Sequence, residues 1–418
     1  MSHKRMVILG AGTGGTLAAN RLRKRFSTSE LEIDVVDQNN QHVYQPGLLF
    51  VPFGLAEPDD IVRKRDRQLH RGINYHESEI SSVDIEANEV HLSNGTTLTY
   101  DLLLVATGTK LLPEETEGLD GPGWNKDVFT FYDLPGATAL AERLENFRSG
   151  HLVINFFDLP IKCPVAPLEF AFLADWYFHD KGVRDDITIT YVTPLDAAFT
   201  KPTAAATLSK LLEEKGINVV SEFNTGVVDT EAKKLISWDE REIEFDLAVV
   251  IPLHGGADFV HASPGLGDEL GFIPCDNNTL QSTVKPNIFV LGDAADVPTS
   301  KAGSVTHFEG EVLVENIDAF LHDRDMVERY DGHANCFIET GYSKALLIDF
   351  NYDTEPVPGH FPGPIGLPLL KESRINHLGK LMFQSFYWHA LLPGRDMPGI
   401  GASMPKAGKE LVSTAPEF

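Results

Sequence analysis

The stretch that decides the fold runs from Arg5 to Gly15 and reads Arg-Met-Val-Ile-Leu-Gly-Ala-Gly-Thr-Gly-Gly. Its apolar half predicts a buried strand, and the residues from Leu17 onward read as a helix. Between the two lies the pattern Gly10-x-Gly12-x-x-Gly15. In such a turn the first glycine permits a tight bend, the second lets the backbone approach a pyrophosphate, and the third lets helix and strand pack closely. The stretch therefore predicts a dinucleotide site at a helix N-terminus.

Asp37 lies 22 residues after Gly15, at the end of a second predicted strand that begins at Leu31. An acidic side chain at this distance is placed to accept hydrogen bonds from ribose hydroxyls. Gly14 is a further glycine of the same turn and belongs to the predicted site. The strand, turn, helix and acidic residue together indicate nucleotide binding more strongly than the glycine pattern alone.

Two further turns follow buried strands later in the chain. Ala106-Thr107-Gly108 ends one apolar strand, and Gly292-Asp293 ends another much further along. In flavoproteins with two nucleotide folds, similar turns close the FAD domain and hold the ribityl chain of the cofactor. This resemblance favours FAD over NAD, and it indicates an FAD domain interrupted by a second domain.

The chain of 418 residues is too long for a single core, so we expect at least two domains. Alternating strands and helices predict an α/β fold, with two Rossmann-like nucleotide-binding domains of which the second is inserted in the first. We place the discontinuous FAD-binding domain at residues 1–110 and 285–325, and the second Rossmann-like domain at residues 111–284. Residues 326–418 are predicted to form a C-terminal hairpin and an amphipathic segment that contacts a membrane and a quinone.

The second domain lacks the glycine pattern that a nicotinamide dinucleotide needs. Its first predicted strand ends at Phe156, and no glycine occurs from residue 151 to residue 181. Close approach of the backbone to a pyrophosphate requires residues without a Cβ atom. Cys163 occupies that part of the sequence, with Lys162 before it and a predicted helix shortly after. A thiol at a helix N-terminus is biased towards the thiolate, and the alternative is a small buried structural residue.

Composition and charge exclude several classes of protein. The net charge is -26, which opposes binding to nucleic acid through a phosphate-neutralising surface. No apolar run approaches the roughly 20 residues of a membrane-spanning helix, and the N-terminus shows no secretory signal, so we expect a protein made in the cytoplasm. Three cysteines are too few for a disulfide scaffold and form no metal-binding pattern, so no metal is expected.

Taken together, the chain resembles the sulfide:quinone oxidoreductase family of the flavin disulfide-reductase superfamily, which is related to the flavocytochrome c sulfide dehydrogenase flavoproteins. The resemblance extends over essentially the whole chain. It is carried by the glycine turns described above, by Cys163 with Glu169 six residues later, by Lys301-Ala-Gly303, by Cys336-Phe337 and by Phe383-x-x-Phe386-Tyr387-Trp388.

The resemblance implies a redox pair of Cys163 and Cys336, bridged as a disulfide or by extra sulfur atoms beside non-covalently bound FAD. Hydrogen sulfide would attack the bridge, and Cys336 would be the cysteine nearest the flavin. The electrons would pass through FAD to a membrane quinone, leaving polysulfide or sulfur. Glu169 would shuttle protons, with an ordinary polar helix residue as the equal alternative.

The same resemblance assigns further roles around the flavin. Lys301 and the helix after Gly303 would stabilise negative charge on the reduced flavin, with a solvated surface lysine as the alternative. The quinone would bind at Gly303, Phe337, Phe383 and Phe386. Apolar walls suit a ring that enters from lipid.

Three departures or additions accompany the resemblance. Many family members have a third cysteine at the position of Phe129, and its absence leaves the length of the sulfur product open. Cys275 matches no family cysteine, so we interpret it as structural. No cysteine occurs near His42-Val-Tyr44, where some relatives link FAD covalently, and this favours non-covalent binding.

The C-terminal segment predicts a membrane contact. Leu378, Leu381, Met382, Phe386 and Leu392 can share an apolar helix face. Between residues 371 and 409 there are six Lys/Arg against two acids, in a chain that is otherwise strongly acidic. A basic, aromatic-rich helix on an acidic protein fits a peripheral protein of the cytoplasmic membrane. The alternative is a C-terminal helix packed on the core.

Several functional alternatives stay open. A flavocytochrome c-type sulfide dehydrogenase would pass its electrons to a haem subunit, and a type II NADH:quinone dehydrogenase would share the general plan without a reason for Cys163. A non-catalytic redox-sensing flavoprotein would keep the FAD glycines alone. The native quinone and the oligomeric state, including a homo-oligomer, are not determined by the sequence.

Overall fold

The computed structural model describes residues 3–395 and 400–411. Two five-stranded parallel sheets of Rossmann type organise most of this chain, and helices cover them. The predicted α/β fold with a second nucleotide-type domain inserted in the first is thereby confirmed. The boundaries proposed at residues 110, 284 and 325 stay predictions.

The first part of the chain builds most of the first sheet. Its helix is α1 (Thr13–Arg25). Its strands are β1 (Lys4–Leu9), β2 (Leu31–Asp37), β3 (His42–Val43), β4 (Val62–Arg63), β5 (Asn74–Glu77), β6 (Ile80–Asp84), β7 (Glu89–Leu92), β8 (Thr97–Thr99), β9 (Leu102–Val105) and β10 (Lys110–Leu112).

The middle of the chain builds the second sheet and its helices. The strands are β11 (Val128–Phe129), β12 (Gly150–Phe156), β13 (Ile187–Val192), β14 (Asn218–Val220), β15 (Thr225–Asp229), β16 (Lys234–Ser237), β17 (Glu242–Glu244), β18 (Leu247–Ile251) and β19 (Leu253–Gly255). The helices are α2 (Leu134–Asn146), α3 (Ala166–Asp180), α4 (Pro202–Glu214) and α5 (Asp258–His261).

The last part returns to the first sheet and then leaves it. Its elements are β20 (Ile288–Val290), α6 (Gly303–Leu321), β21 (Ala334–Gly341), β22 (Lys344–Phe350), β23 (Gly359–Phe361), β24 (Leu367–Leu369) and α7 (Arg374–Phe386). A π-helical turn, Tyr387–Leu391, continues α7.

The strand order explains the interruption of the first domain. The first sheet has the order β20-β9-β1-β2-β5, so that β20 pairs with β9 although the whole second sheet lies between them in sequence. The second sheet has the order β11-β18-β12-β13-β14. An antiparallel pair of β10 and β19, with Lys110 opposite Gly255, joins the outgoing and returning connections.

The strands of both sheets are apolar because helices or loops cover both faces. Val7, Ile8 and Leu9 of β1 are fully buried. Helix α1 packs against α6, where Gly310 lies so close to Leu17 that a Cβ atom on Gly310 would approach the leucine side chain to 3.0 Å. Because β1 and β20 both pair with β9 in parallel, their carboxyl ends lie at one edge of the sheet, which is the place where ligands bind in such folds.

One sequence prediction differs from the structure at the end of a helix. Helix α6 begins at Gly303, directly after Lys301 and Ala302, where the sequence analysis places the start of a helix. At the C-terminus, Leu392 does not share the exposed face of α7 and is fully buried. A π-turn holds more residues than an α-turn, so the residues after Phe386 are rotated away from the helix face.

Candidate functional site

The glycine turn after β1 is shaped by two contacts that exclude side chains. Gly10 has a φ of +93°, and a Cβ atom there would lie 2.5 Å from the carbonyl oxygen of Ala106. A Cβ atom on Gly15 would lie 1.8 Å from the carbonyl oxygen of Gly10. Around Gly12, by contrast, no atom lies within 4 Å of the position of a Cβ. The open space at Gly12 faces the N-terminus of α1, where a pyrophosphate fits.

Asp37 is held at the end of β2 by two donors. Its Oδ2 accepts a hydrogen bond from the backbone N–H of Ala11 at 2.7 Å and pairs with Arg65 Nη1 at 3.2 Å. Arg65 also donates to the carbonyl oxygen of Ala11 at 2.8 Å. Arg65 adds a cation to the glycine turn that the sequence analysis missed, because it lies in a loop without a periodic pattern.

Unpartnered polar atoms mark the opposite wall of this space. The hydroxyl oxygens of Thr107 and Thr109 are buried without a hydrogen-bond partner in the part of the chain that the structure describes. Buried polar groups are normally satisfied, so these two indicate a bound group with polar atoms. The backbone N–H of Gly292 donates to Glu309 Oε2 at 2.8 Å, which fixes the turn that carries Asp293. These features fit a dinucleotide such as FAD.

One cavity of about 1410 Å³ brings the predicted residues together. All of them line the cavity except Gly15, which lies where helix α1 packs against strand β1. The lining includes Gly10, Gly12, Gly14, Asp37, Ala106, Thr107, Gly108, Cys163, Glu169, Gly292, Asp293, Lys301, Gly303, Cys336, Phe337, Phe383 and Phe386. A space of this size holds both a dinucleotide and the reactants beside it.

The two cysteines of this cavity come from different parts of the fold. Cys163 lies in the loop before α3 with a φ of +46°, and its N–H donates to the carbonyl oxygen of Lys301 at 2.7 Å. Tyr132 donates its hydroxyl to the carbonyl oxygen of Cys163 at 3.2 Å. Cys336 lies on β21, opposite Ile348 of β22. Both are free thiols in this structure.

Burial opposes the ionisation that the sequence predicts for Cys163. It raises the pKa of Cys163 well above its usual value, and the neighbouring Cys336 and Glu169 raise it further. Burial likewise raises the pKa of Cys336 to about 12. In the reduced pair, desolvation therefore works against the helix N-terminus of α3, and a thiolate at Cys163 stays a prediction.

A buried ion pair lies beside the cysteines. Glu169 on α3 is almost completely buried and pairs with the ammonium group of Lys380 on α7. Lys380 Nζ also donates to the carbonyl oxygen of Phe337 at 3.0 Å. Burial raises the pKa of Glu169, and Lys380 opposes this effect. The same ammonium group opposes the rise of the pKa of both cysteines. Glu169 is thus no ordinary solvated helix residue.

Lys380 is the main residue that the sequence analysis missed at this site. It was counted among the basic residues of a membrane-facing segment, yet its side chain is only 11% exposed. Lys409, another residue of that count, is fully buried against Asp349. Four of the six counted cations remain at the surface, and Asp396 lies outside the described residues. Its position at the centre of an aromatic-rich segment could have indicated that the side chain of Lys380 is buried.

A second carboxylate continues the polar cluster towards the surface. The backbone N–H of Glu339 on β21 donates to Glu169 Oε1 at 2.6 Å. The carboxylate of Glu339 pairs with His377 Nδ1 of α7 at 2.8 Å. Burial raises the pKa of Glu339, while Lys380 and His377 oppose the rise. The side chain of His377 is 20% exposed, so this pair reaches solvent.

Lys301 is buried and therefore is not a solvated surface lysine. Its Nζ donates to the carbonyl oxygens of Asp293 at 2.8 Å and Ala295 at 3.1 Å and lies 4.2 Å from the ring centroid of Phe272. Burial lowers its pKa, and Asp293 is the largest opposing influence. In this arrangement Lys301 holds the turn after β20 and, through its backbone carbonyl, the loop of Cys163.

Aromatic rings form the wall of the cavity nearest α7. Phe383 and Phe386 lie 6.0 Å apart between ring centroids, and Tyr44 lies 6.4 Å from Phe383. Phe337 packs over Gly379, where a Cβ atom would approach its ring to 2.8 Å. Gly379 therefore lets α7 approach β21 closely. The wall is apolar and aromatic, which suits a ring-shaped ligand.

The outer face of α7 is apolar and exposed. Ile375, Leu378, Leu381 and Met382 are between 49% and 71% exposed on successive turns of this helix. Such a row on one helix is a marked apolar surface next to the cavity mouth. In residues 3–395 and 400–411, no helix has both the length and the apolar character needed to cross a bilayer.

The structure also describes the residues behind the predictions on metal binding, on Cys275 and on the absent third cysteine. Among the described residues, no group of three or more His, Cys, Asp or Glu side chains is arranged to hold a metal ion. Cys275 is buried beside Ser282, away from the other two thiols, and burial raises its pKa to about 12. Phe129, at the position of the absent third cysteine, is buried in β11.

Comparisons with known proteins agree with this geometry. The family model described as Pyridine nucleotide-disulphide oxidoreductase matches residues 4–154. The mitochondrial sulfide:quinone oxidoreductase of Mus musculus is 25% identical over 94% of this chain and 87% of its own length. The mitochondrial sulfide:quinone oxidoreductase of Schizosaccharomyces pombe is 27% identical over 93% of this chain and 90% of its own length.

A solved structure shares the fold. The X-ray structure of the sulfide:quinone oxidoreductase from Aquifex aeolicus superimposes with a TM-score of 0.79 at 19% identity, over 94% of this chain and 92% of that chain. The nucleotide cradle points to FAD as the cofactor. The chain is therefore similar to the sulfide:quinone oxidoreductases over nearly its whole length and shares the fold of the solved one.

Proposed function

We propose that this protein is a sulfide:quinone oxidoreductase that uses Cys163 and Cys336 as its redox pair. The observation that carries the proposal is their placement: thiols from two distant segments line the same cavity as the nucleotide cradle. Cys163 also follows β12, where a nicotinamide-binding domain would have its glycine turn. A sulfur nucleophile thus takes the place of a nicotinamide as the electron source.

The sulfur chemistry begins with the oxidised pair. Hydrosulfide attacks the disulfide, one new S–S bond forms to the incoming sulfur, and the other cysteine leaves as a thiolate. The persulfide and the thiolate then close a bridge that contains the added sulfur, which releases one proton and two electrons. FAD, which the glycine turn and Asp37 would hold, would supply the two-electron acceptor between the cysteine pair and a quinone. Each quinone takes up two electrons and two protons.

Lys380 and Glu169 serve the thiolate and the proton. The leaving thiolate forms in a buried place where the pKa of both cysteines is high. The ammonium group of Lys380 is the neighbouring cation that lowers these pKa values, so it stabilises the leaving group. Glu169, whose pKa is raised by burial, accepts the proton that is released.

The quinone is proposed to enter from a membrane. Its ring would lie against Phe337, Phe383 and Phe386, which form the aromatic wall beside α7. The exposed apolar side chains of α7 would dip into the interfacial region of the bilayer and place the cavity mouth against lipid. This makes the protein a peripheral, monotopic membrane protein, and the cytoplasmic membrane is the proposed location.

The test is an anaerobic titration of the FAD-loaded protein with sulfide, followed by a soluble quinone analogue. We expect the visible absorbance of the oxidised flavin to bleach with sulfide and to return with quinone. Cys163→Ser and Cys336→Ser should each abolish bleaching, whereas Cys275→Ser should bleach like the parent because Cys275 lies outside the cavity. NADH should leave the absorbance unchanged. Bleaching of either single variant at the parental rate would refute the pair.

A further inference from the structure

Two side chains outside the predicted site, Glu339 and His377, form a pair between the buried Glu169–Lys380 pair and the surface. His377 Nδ1 lies 2.8 Å from Glu339 Oε1 and 3.0 Å from Oε2, so the imidazole is centred on the carboxylate. Glu339 is 1% exposed and His377 is 20% exposed in their side chains. The buried carboxylate of Glu339 can therefore exchange a proton with solvent through the partly exposed imidazole of His377.

The inner end of this pair adjoins the ion pair next to the cysteines. Glu169 Oε1 accepts the backbone N–H of Glu339, which fixes β21 against α3. Lys380 lies one turn after His377 on α7 and contacts Glu169. Lys380 also lies close enough to Glu339 to lower the pKa of its carboxyl group. Two carboxylates and two bases therefore follow one another from the cavity to the surface.

The charges around the cluster come from three elements. Helix α3 contributes Glu169, strand β21 contributes Glu339 and Cys336, and α7 contributes His377 and Lys380. Cys163, in the loop before α3, is the remaining titratable group that acts on Lys380. The carboxyl groups of Glu169 and Glu339 are matched by the ammonium group of Lys380 and the imidazole of His377. One mobile proton can thus move among these groups without leaving an unpaired buried charge.

We propose that His377 and Glu339 form the proton route between the solvent and the Glu169–Lys380 pair in the reactive cavity. The route rests on the proposed function, because quinone reduction there consumes two protons for every two electrons and sulfide oxidation releases protons at the cysteines. His377 takes a proton from solvent and passes it from Nδ1 to Glu339, and a bridging water carries it on to the carboxylate of Glu169, while Lys380 stays an ammonium group. The reverse sequence removes protons released by sulfide.

Histidine suits the outer position of such a route. It is the side chain that most readily gains and loses a proton near neutral pH. The Glu339 carboxylate orients the ring through Nδ1 and leaves Nε2 for exchange with solvent. His377 and Glu339 are therefore proton-transfer residues that act through Glu169 and Lys380, without contact to the sulfur atoms.

The experiment compares His377→Asn and His377→Ala with His360→Ala in the FAD-loaded protein. Asparagine keeps a hydrogen-bond donor for Glu339 but cannot titrate, and His360 is an exposed histidine on β23 outside the cavity. We expect turnover with sulfide and quinone to fall roughly 100-fold in both His377 variants, the low end of what a positioned acid–base group contributes. Added imidazole should restore turnover of His377→Ala in proportion to its concentration. His360→Ala should match the parent.

A second variant and a second measurement distinguish the loss of the proton route from misfolding and from a failure of the proposed function. Glu339→Gln should give the same loss with the parental melting temperature, and it should not respond to imidazole. Parental turnover and an unchanged pH profile in His377→Asn would overturn the route. A loss in His377→Ala that imidazole does not restore would also overturn it. If the parent itself is not bleached by sulfide, the proposed function fails first, irrespective of His377.

Discussion

At residue scale, Gly12 and Gly15 show that one residue type serves two purposes in the same turn. A side chain on Gly15 would collide with the carbonyl oxygen of Gly10, which belongs to the protein itself. A side chain on Gly12 would meet no protein atom and would enter only the space of the ligand. The two glycines therefore separate folding from cofactor binding, and each can be tested on its own.

We predict that Gly12→Ala keeps the thermal stability of the FAD-free protein but weakens FAD binding at least about tenfold, a cost of about 1.4 kcal/mol. Gly15→Ala should instead lower the melting temperature of the FAD-free protein, because helix α1 must move away from β1. Scanning calorimetry and a fluorescence titration with FAD measure the two quantities. An equal loss of stability in both variants would contradict this division of roles.

The pair of Glu169 and Lys380 gives the second prediction at this scale. In Lys380→Met the Glu169 carboxyl keeps its burial but loses its cation, so we expect the free energy of unfolding to fall by about 3–5 kcal/mol. The pKa of Glu169 is already raised by burial and should rise further. A raised carboxyl pKa favours the folded state only while the group is protonated. The deficit should therefore be small at low pH and grow as the pH increases.

Urea unfolding of Lys380→Met between pH 5 and pH 8 checks this dependence. The matched control is the double variant Glu169→Gln/Lys380→Met, in which no buried charge is left unpaired. We expect it to lose less stability than the single variant at pH 8 and to show little pH dependence. A deficit of Lys380→Met that stays constant with pH would contradict the assignment of its cause to Glu169.

These residues also show what sequence reasoning can and cannot provide. Gly10, Gly12 and Asp37 are predictable because their spacing after a strand is determined by the local geometry of one turn. Lys380 and Glu339 are not, because their roles depend on α7 and β21 meeting α3, a contact between segments more than 150 residues apart in the chain. A charge that is buried by tertiary packing looks like a surface charge in sequence.

At element scale, helix α7 has two faces with different partners. One face packs against β21 and β22 and brings Lys380 to the cavity. The other exposes Ile375, Leu378, Leu381 and Met382. The helix was predictable from its apolar period, but its end was not, since Tyr387–Leu391 forms a π-turn whose hydrogen bonds no periodicity indicates.

We predict that Leu381→Glu/Met382→Glu loses binding to phospholipid vesicles while it still reacts with a short-chain, water-soluble quinone analogue. The substitutions place two charges on an exposed face, so the fold should be retained, whereas insertion into the interface becomes unfavourable. Trp238→Glu is the matched control, because Trp238, between β16 and β17, is 78% exposed and far from α7 in sequence. Vesicle flotation and the quinone assay measure the two properties. Unchanged flotation of the double variant would contradict the docking face.

At the scale of the whole molecule, the C-terminal segment closes the site by binding back to the first glycine turn. The hydroxyl group of Tyr387 lies 2.8 Å from Thr13 Oγ1 and 2.6 Å from His42 Nε2. His42 Nδ1 in turn bonds the carbonyl oxygen of Ala11 at 3.1 Å, and burial lowers the pKa of His42 to about 3, so the ring is neutral and accepts from Tyr387. Asn20 of α1 donates to the carbonyl oxygen of Leu392 at 2.8 Å.

This connection couples the cofactor to the segment that carries the quinone wall. Thr13 opens α1 and belongs to the same turn as Gly12, so a ligand that orders this turn also orders the partner of Tyr387. If FAD binds more tightly when the C-terminal segment is docked, then bound FAD stabilises the docked segment by the same free energy. The assembly of the quinone site should therefore depend on FAD, although the aromatic residues of that site lie far from the glycine turn in sequence.

The last prediction is that FAD protects the C-terminal segment from proteolysis. We expect trypsin to cleave after Arg395, which is exposed, roughly tenfold more slowly in the FAD-loaded than in the FAD-free protein, corresponding to about 1.4 kcal/mol of coupling. Cleavage after Lys233, in the turn between β15 and β16, provides the internal control and should not respond to FAD. Tyr387→Phe removes the hydroxyl group that joins the two parts, so the difference at Arg395 should shrink while that variant still binds FAD. Equal protection in Tyr387→Phe and the parent would show that the coupling runs through other contacts, such as the one between Asn20 and Leu392.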